Sequence, residues 1–236
     1  MQGLFVAEAN WQEVHKALEA GGIAILPVSA ACKEHGLHLP MNTDLLQAQW
    51  LCKSLAEKCL VVVWPSVSYG YYPAFTDYPG SCSLSCKTFE NSIVEILDDI
   101  LCVARRKILV VNTGISTIPP LQAAIERTFE PGKIQLANVY DGSRVRSVIT
   151  QIEEQPNGSH ADEIETSIML AIAPHKVCMD EAVACTRRLE QGPLNRTNPA
   201  DPNYSPSGVY GDPRLASKEK GELLIRAMLD DLLEYT

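Results

Sequence analysis

The 236-residue chain is long enough to bury a full hydrophobic core, and its 46% hydrophobic and 21% charged residues are ordinary for a globular protein. Its formal net charge of -9 comes with no lysine- or arginine-rich run, which argues against nucleic acid or an anionic membrane as the main partner. No apolar stretch reaches membrane-spanning length, and residues 1–9 lack the pattern of a secretory signal, so we expect a cytoplasmic protein.

Helices and strands alternate along the chain, and each predicted strand is apolar throughout. The predicted elements are, in order, helix 10–20, strand 23–28, helix 43–58, strand 60–65, a Tyr-, Pro- and Gly-rich loop 69–83, helix 89–105, strand 108–112, helix 119–129, strand 134–139, loop 191–207 and helix 219–235. Apolar strands alternating with helices predict a mostly parallel sheet covered on both faces, within one domain over residues 1–236. The eight cysteines include no Cys-x-x-Cys pair, and we interpret them as reduced, mostly buried thiols.

A polar segment, residues 32–44, directly follows the first long apolar strand. Ligands of such sheets bind beyond the carboxyl ends of the strands, where this segment begins. Glu34, His35 and Asp44 are side chains that Zn²⁺, Mn²⁺ or Fe²⁺ accept as ligands. The alternative is a polar loop in which Asp44 only caps the next helix.

Two further segments carry polar groups with a site-like pattern. In residues 159–167, His160 and Glu165 are suited to ligation and proton transfer, although Ser159 also makes this segment a typical helix start. In residues 112–117, the small residues Gly114 and Ser116 allow backbone N–H groups to approach a ligand, although they also suit a plain turn. No Gly-x-Gly-x-x-Gly motif follows a strand, which argues against a dinucleotide-dependent oxidoreductase.

Four segments in the same order resemble the motifs of the creatininase (creatinine amidohydrolase) family. Residues 34–44 are similar to its Glu-Gln-His-Gly-Pro-His-Leu-Pro…Thr-Asp signature, and residues 78–84 to its Pro-Gly-Thr-x-Ser-Leu turn. Residues 160–167 resemble its His-Ala-Gly-Glu-x-Glu-Thr-Ser box, and residues 207–221 its Gly-Val-x-Gly-Asp-Pro…Glu-Lys-Gly segment.

The resemblance implies a three-layer α/β/α sandwich, often assembled as a hexamer, that hydrolyses C–N bonds of cyclic or linear amides. It implies a centre of one or two divalent metals (Zn, Mn or Fe) and a small-molecule amide substrate. Carried over by motif, His35 and Asp44 are metal ligands, with Asp44 in the bridging place. Glu165 is an acidic ligand or support of the centre, and His160 is the proton shuttle to the leaving nitrogen.

Two departures from the family pattern bear on the metal centre. The usual carboxylate ligand lies two residues before the histidine, where this chain has Lys33; Glu34 is the ligand only if the loop shifts by one residue. The family's Asn-Gly-His-Gly-Gly-Asn turn has Gly114 in place of its histidine. The rival hypothesis is therefore a non-catalytic, ligand-binding member of the fold that serves as an assembly subunit.

The remaining predictions concern the substrate. Backbone N–H groups near Gly114 are expected to steady the oxyanion, with Ser116 beside them. Four loop tyrosines are expected to line or cover the pocket, with exposed loop positions as the alternative: Tyr69, Tyr71, Tyr72 and Tyr204.

Overall fold

A five-stranded, fully parallel sheet is the centre of the fold in the computed structural model, which describes residues 3–190 and 192–236. Its strands are β1 Leu4–Phe5, β2 Ile23–Val28, β3 Val61–Val63, β4 Ile108–Asn112 and β5 Ile134–Asn138. They lie in the order β1-β3-β2-β4-β5. The helices are α1 Trp11–Glu19, α2 Thr43–Lys58, α3 Cys86–Val103, α4 Ile118–Glu126, α5 Ser143–Ile152, α6 Glu163–Ile172 and α7 Lys218–Leu233.

Helices cover both faces of the sheet, because successive strand residues point to opposite sides. On β2, Ile25 packs into a core shared with α2, α5, α6 and α7, whereas Leu26 packs into a core shared with α3 and α4. All six residues of β2 are buried, as expected for a central parallel strand. The predicted three-layer α/β/α sandwich is thereby confirmed.

The structure differs from the predicted elements in several places. The short edge strand β1 and the helix α5 were not predicted, although α5 has apolar residues at helical spacing in Val145, Val148, Ile149 and Ile152. Helix α6 is capped by Asp162 rather than Ser159, since Asp162 Oδ1 accepts from the Ile164 and Glu165 N–H groups at 3.0 Å.

Two further predictions can be compared with the structure: the loop at residues 191–207 and the alternative in which Asp44 caps the next helix. Of the predicted loop 191–207, residue Gln191 lies outside the described residues, and residues 192–207 form turns and one isolated bridge between Asn195 and Tyr204. Asp44 does not cap α2, because the N-cap is Asn42 and Asp44 lies inside the first turn.

Among the described residues, no helix combines the length and apolarity needed to cross a bilayer.

Candidate metal centre

Six buried ionisable side chains meet at the carboxyl edge of the sheet, and we call them the central cluster. They come from the loop after β2, the first turn of α2 and the segment that begins α6. The cluster consists of Lys33, Glu34, His35, Asp44, His160 and Glu165. None of the six is more than 7% exposed, so their mutual interactions are only weakly screened by solvent.

Backbone hydrogen bonds fix the loop that carries three members of the cluster. The Lys33 N–H donates to the Met41 carbonyl at 3.1 Å, and the Glu34 N–H donates to Ser81 Oγ at 3.0 Å. Gly36 has a φ of +73°, a conformation that glycine adopts without strain. Its N–H donates back to Glu34 Oε2 at 3.1 Å. The turn therefore directs Lys33 and His35 to the two carboxylate oxygens of Asp44, and Glu34 to His160.

Lys33 pairs with Asp44 at the base of the cluster, with Nζ 2.7 Å from Oδ2. Burial acts to lower the pKa of Lys33, but the Asp44 and Glu165 carboxylates outweigh burial and raise that pKa. Burial likewise acts to raise the pKa of Asp44, but the Lys33 ammonium outweighs it and holds that pKa well below its usual range. Both groups are therefore charged at neutral pH.

The His35 ring leaves one nitrogen facing an anionic oxygen. Nδ1 lies 2.8 Å from the Lys33 carbonyl oxygen, which can only accept, so the ring proton is on Nδ1. The Nε2 lone pair then faces Asp44 Oδ1 at 3.2 Å. Two acceptors that face each other need a proton or a cation between them.

The His160 ring repeats this arrangement on the other side of the cluster. Nε2 donates to Glu34 Oε1 at 2.5 Å, and Nδ1 faces Glu165 Oε2 at 3.6 Å. Burial acts to lower the pKa of His160, but the charge and hydrogen bond of Glu34 outweigh it and raise that pKa. The position beside Nδ1 thus attracts positive charge. Ala161, with a φ of +49°, turns its N–H onto Glu165 Oε2 at 2.5 Å and holds that oxygen in place.

The donor set fits a divalent metal. His35, His160 and Glu165 each offer one ligand atom, and the three atoms lie within 4.8 Å of one another. Two imidazole nitrogens and a carboxylate oxygen suit Zn²⁺, Fe²⁺ or Mn²⁺. With neutral histidines, the three carboxylates and one ammonium of the central cluster leave two negative charges, which one divalent ion neutralises.

A cavity of about 450 Å³ opens onto the cluster. Lys33, His160 and Glu165 line its polar part, together with the helix cap Asp162. Burial, followed by the charge of Glu165, raises the pKa of Asp162 to about 6. Phe75 forms part of the apolar wall, with its ring centroid 4.2 Å from that of His160. The cavity is of a size for a small molecule or a short segment of a longer one.

Gly114, Ser116 and Tyr71 were predicted to contact substrate, but their polar groups have other partners or they do not line this cavity. The Gly114 N–H donates to Asn112 Oδ1 at 3.2 Å, which leaves it no free hydrogen for an oxyanion. Ser116 lines the cavity, but its hydroxyl donates to the Tyr71 carbonyl at 3.0 Å. Tyr71 itself is not among the lining residues.

The other loop tyrosines also lie outside this cavity, and a different tyrosine lines it. Tyr72 is buried with its ring 5.8 Å from Lys33 Nζ, Tyr69 is exposed, and Tyr204 lines a second depression. Tyr140, which was not predicted, does line the cavity. Tyr140 follows the carboxyl end of β5, and ligands of parallel sheets bind beyond the carboxyl ends of the strands. The same reasoning that identified residues 32–44 therefore also identifies Tyr140.

The segment that resembles the family's closing motif covers the cluster without supplying a ligand. Tyr210 and His160 exchange two backbone hydrogen bonds, at 3.1 and 2.9 Å. Gly208 has a φ of +84°, and a Cβ at this position would overlap the Glu34 carboxylate. Lys220 Nζ pairs with the buried Glu163 Oε1 at 2.5 Å, which ties α7 to α6.

Gly208→Ala is expected to destabilise the fold and loosen the metal. A left-handed alanine costs about 1–2 kcal/mol, and the overlap pushes Glu34 away from His160 in addition. Urea unfolding and metal titration of the variant measure the two effects. The matched control is Gly132→Ala, where an added Cβ meets no atom within 4 Å. Equal stability of the two variants would contradict the close packing of Gly208 on Glu34.

His38, three residues after His35 in the same loop, gives an expected pH dependence. Its Nε2 lies 2.8 Å from Thr166 Oγ1, and burial lowers its pKa from 6.5 to about 4. Between these two pH values the unfolded chain binds a proton that the folded chain does not, so stability is full above pH 6.5 and falls towards pH 4.

We therefore expect the free energy of unfolding to lose up to about 3 kcal/mol over this window through His38. His38→Gln, which retains a hydrogen-bonding group, should flatten this part of the profile in urea unfolding at a series of pH values. His175→Gln, at an exposed histidine, should follow the unsubstituted protein. Identical pH slopes for His38→Gln and the unsubstituted protein would refute the contribution of His38.

A parallel α/β sandwich with imidazole and carboxylate ligands at its carboxyl edge is typical of metal-dependent hydrolases. A family model described as creatinine amidohydrolase matches residues 7–236, and the chain therefore belongs to the creatininase family. The comparisons confirm three predictions made from the sequence motifs: the creatininase family, the α/β/α fold and the enzyme class. That class is a metal-dependent amidohydrolase. The alternative of a non-catalytic assembly subunit is not favoured.

Relatives of characterised function span most of the chain. The creatinine amidohydrolase of Pseudomonas putida is 26% identical over 99% of this chain and 96% of its own length. The mycofactocin precursor peptide peptidase of Mycolicibacterium smegmatis is 26% identical over 88% of this chain and 81% of its own length. The 3-dehydro-scyllo-inosose hydrolase of Thermotoga maritima is 24% identical over 98% of this chain and 81% of its own length.

Solved structures of creatininases superpose over nearly the whole chain. A manganese creatininase has a TM-score of 0.84 at 25% identity, with 99% of this chain and 97% of that chain covered. A mutant creatininase complexed with creatine has a TM-score of 0.80 at 26% identity, with the same coverage. Another mutant creatininase, of the Zn-Zn type, also has a TM-score of 0.80 at 26% identity, over 100% of this chain and 97% of that chain.

Proposed function

We propose that this chain hydrolyses the C–N bond of a small cyclic or linear amide with one divalent metal ion per chain, within a single domain over residues 1–236. The observation that carries the proposal is the central cluster, whose two excess negative charges and three converging donor atoms suit one dication. The relatives that act as a creatinine amidohydrolase and a peptide peptidase support an amide substrate.

In this proposal, His35, His160 and Glu165 hold the metal, and Asp44 Oδ1 is a candidate fourth ligand beside His35. His160 thereby takes a ligand role in place of the proton-shuttle role expected from the family motif. When bound, the metal supplies Lewis-acid polarisation of the scissile carbonyl and activation of water. Zn, Mn and Fe all accept this donor set.

Glu34 and Lys33 support the centre without binding the ion. Glu34 accepts the Nε2 proton of His160, which orients the ring and directs the Nδ1 lone pair towards Glu165. Burial acts to raise the pKa of Glu34, but His160 outweighs it and lowers that pKa, so Glu34 remains an acceptor. Lys33 holds Asp44 in place and supplies the positive charge for which the usual pattern has a second ligand.

The candidate for proton transfer to the leaving nitrogen is Asp162, which is among the residues that line the cavity and whose pKa of about 6 lies near working pH, as general acid–base catalysis requires. Its Oδ1 caps α6 and its Oδ2 accepts from Gln155 Nε2 at 2.7 Å, so proton transfer requires the Gln155 contact to open. Phe75 and Ile164 supply apolar surface to the same cavity.

We further propose a cytoplasmic homo-oligomer, with the hexamer implied by the family resemblance as the expected assembly. Large apolar side chains that are more than half exposed offer surface for the association of copies; they include Trp11 at 75%, Leu37 at 61%, Ile115 at 58% and Phe129 at 57%. Light scattering of the purified protein measures the number of copies.

The test of the proposed function couples metal content to amide hydrolysis. Elemental analysis of the purified protein should find about one divalent ion per chain. Release of amine from creatinine, linear amides and short peptides should stop on chelation and return when the ion is restored. A metal-loaded protein that hydrolyses none of these classes would favour the non-catalytic alternative over the proposal.

A further inference from the structure

Two cysteines touch each other directly beside the central cluster. Cys32 precedes Lys33 in the loop after β2, and Cys82 follows Ser81 in the loop before α3. The Cys82 N–H donates to the Cys32 carbonyl at 3.0 Å. Cys82 also acts on the Cys32 thiol itself: burial raises the pKa of that thiol, and the charge of the neighbouring Cys82 raises it further. The contact therefore involves both the backbones and the side chains.

The spacing of the two residues suits a disulfide. With an N···O distance of 3.0 Å, standard backbone bond lengths hold the two Cα atoms no more than roughly 6.8 Å apart, which is the upper end of the range that disulfides span. All eight cysteines are free. In the part of the chain that the structure describes, no other two cysteines share a hydrogen bond.

We propose that Cys32 and Cys82 form a reversible disulfide when the protein meets a low-molecular-weight disulfide such as oxidised glutathione. Cys82 is exposed, and its thiolate attacks one sulfur of the oxidant and releases one thiolate. The Cys32 thiolate then displaces the second thiolate from the mixed disulfide. The protein loses two hydrogens as two electrons and two protons, and the oxidant becomes two thiols.

The disulfide would hold the loop after β2, which carries Lys33, Glu34 and His35, against the loop before α3. The Glu34 N–H already donates to Ser81 Oγ, one residue before Cys82. A covalent link at Cys32 removes the opening motions that separate these two loops. Oxidation thereby stiffens the backbone that presents Lys33, Glu34 and His35.

Peptide mapping of the full-length protein tests the bond. The protein is treated with oxidised glutathione at neutral pH, its remaining thiols are blocked, and it is digested without reductant. We expect a Cys32–Cys82 cross-linked peptide that dithiothreitol cleaves, and a parent mass lower by two hydrogens. Cys82→Ser should abolish it, whereas the matched control Cys102→Ser, at an exposed cysteine away from this pair, should leave it intact. Glutathione adducts on Cys82 with Cys32 still free, or Cys82 bonded to another cysteine, would overturn the proposal.

Hydrogen exchange tests the clamp separately. Peptides that cover residues 33–36 should exchange several-fold more slowly in the oxidised protein than in the reduced protein. Peptides of α1, which carries neither cysteine and does not adjoin either loop, serve as the internal reference. Equal exchange of residues 33–36 in both forms would show that the disulfide leaves the loop unclamped.

Discussion

His160→Ala is expected to lose nearly all of its metal and to lower amide turnover by roughly 10²-fold or more. The imidazole places Nδ1 3.6 Å from Glu165 Oε2, and removing it takes away one of the three converging donor atoms. It also leaves the buried Glu34 carboxylate without the partner that holds its pKa down. Elemental analysis and amine-release assays on the same preparation measure both losses.

Two further variants separate a ligand role from a merely structural one. Glu34→Gln keeps a side-chain oxygen near His160 Nε2 but removes the charge, so it should weaken metal binding by about 10–100-fold without abolishing it. His175→Ala, at an exposed histidine, should retain both metal and turnover. If His160→Ala keeps its full metal content and loses only turnover, His160 is the proton shuttle that the family motif implied.

Lys33→Glu is expected to raise the metal content from about one ion per chain towards two. The substitution changes the buried charge by two units, so the cluster would carry four carboxylates, whose charge two dications neutralise. In the unsubstituted protein, a second dication about 4 Å from the ammonium would meet a repulsion of roughly 8 kcal/mol at an effective dielectric of 20. Elemental analysis of both proteins gives the two stoichiometries.

Lys33→Met is the matched control, because it removes the ammonium without adding a ligand. It should still bind a single ion, and without metal it should lose about 3–5 kcal/mol of stability because Asp44 remains buried without its counter-ion. Two ions per chain in the unsubstituted protein, with no change in Lys33→Glu, would show that Lys33 does not replace a metal.

The motifs predicted which residues gather at the sheet edge better than they predicted what each side chain does there. Glu34, His35, Asp44, His160 and Glu165 were all named from the sequence, and all five meet in the central cluster. The sequence did not decide whether Lys33 or Glu34 occupies the place of the family's usual carboxylate ligand, because adjacent side chains point in different directions. That choice depends on contacts far along the chain, such as the Ser81 hydroxyl, which no local pattern encodes.

At the turn around Gly114, the residue types predicted a substrate contact that the hydrogen bonds of the structure do not provide. Its small residues predicted an exposed N–H group, because nothing in the residue types reveals where a hydrogen bond goes. The neighbouring Asn112 side chain accepts that N–H, while its own amide donates to the Gly114 carbonyl at 2.7 Å. The segment is therefore a self-contained turn, and Asn112, already present in the motif, was the available signal.

The cover over the cluster has a consequence for how the protein is made. Every residue of the central cluster is synthesised by position 165, yet Gly208 and Tyr210 pack on Glu34 and His160 from a segment that leaves the ribosome later. A nascent chain that has exposed only its ligands still has them open to water and without this backbone support. The proposed metal centre is therefore complete only after the segment that carries Gly208 and Tyr210 has docked.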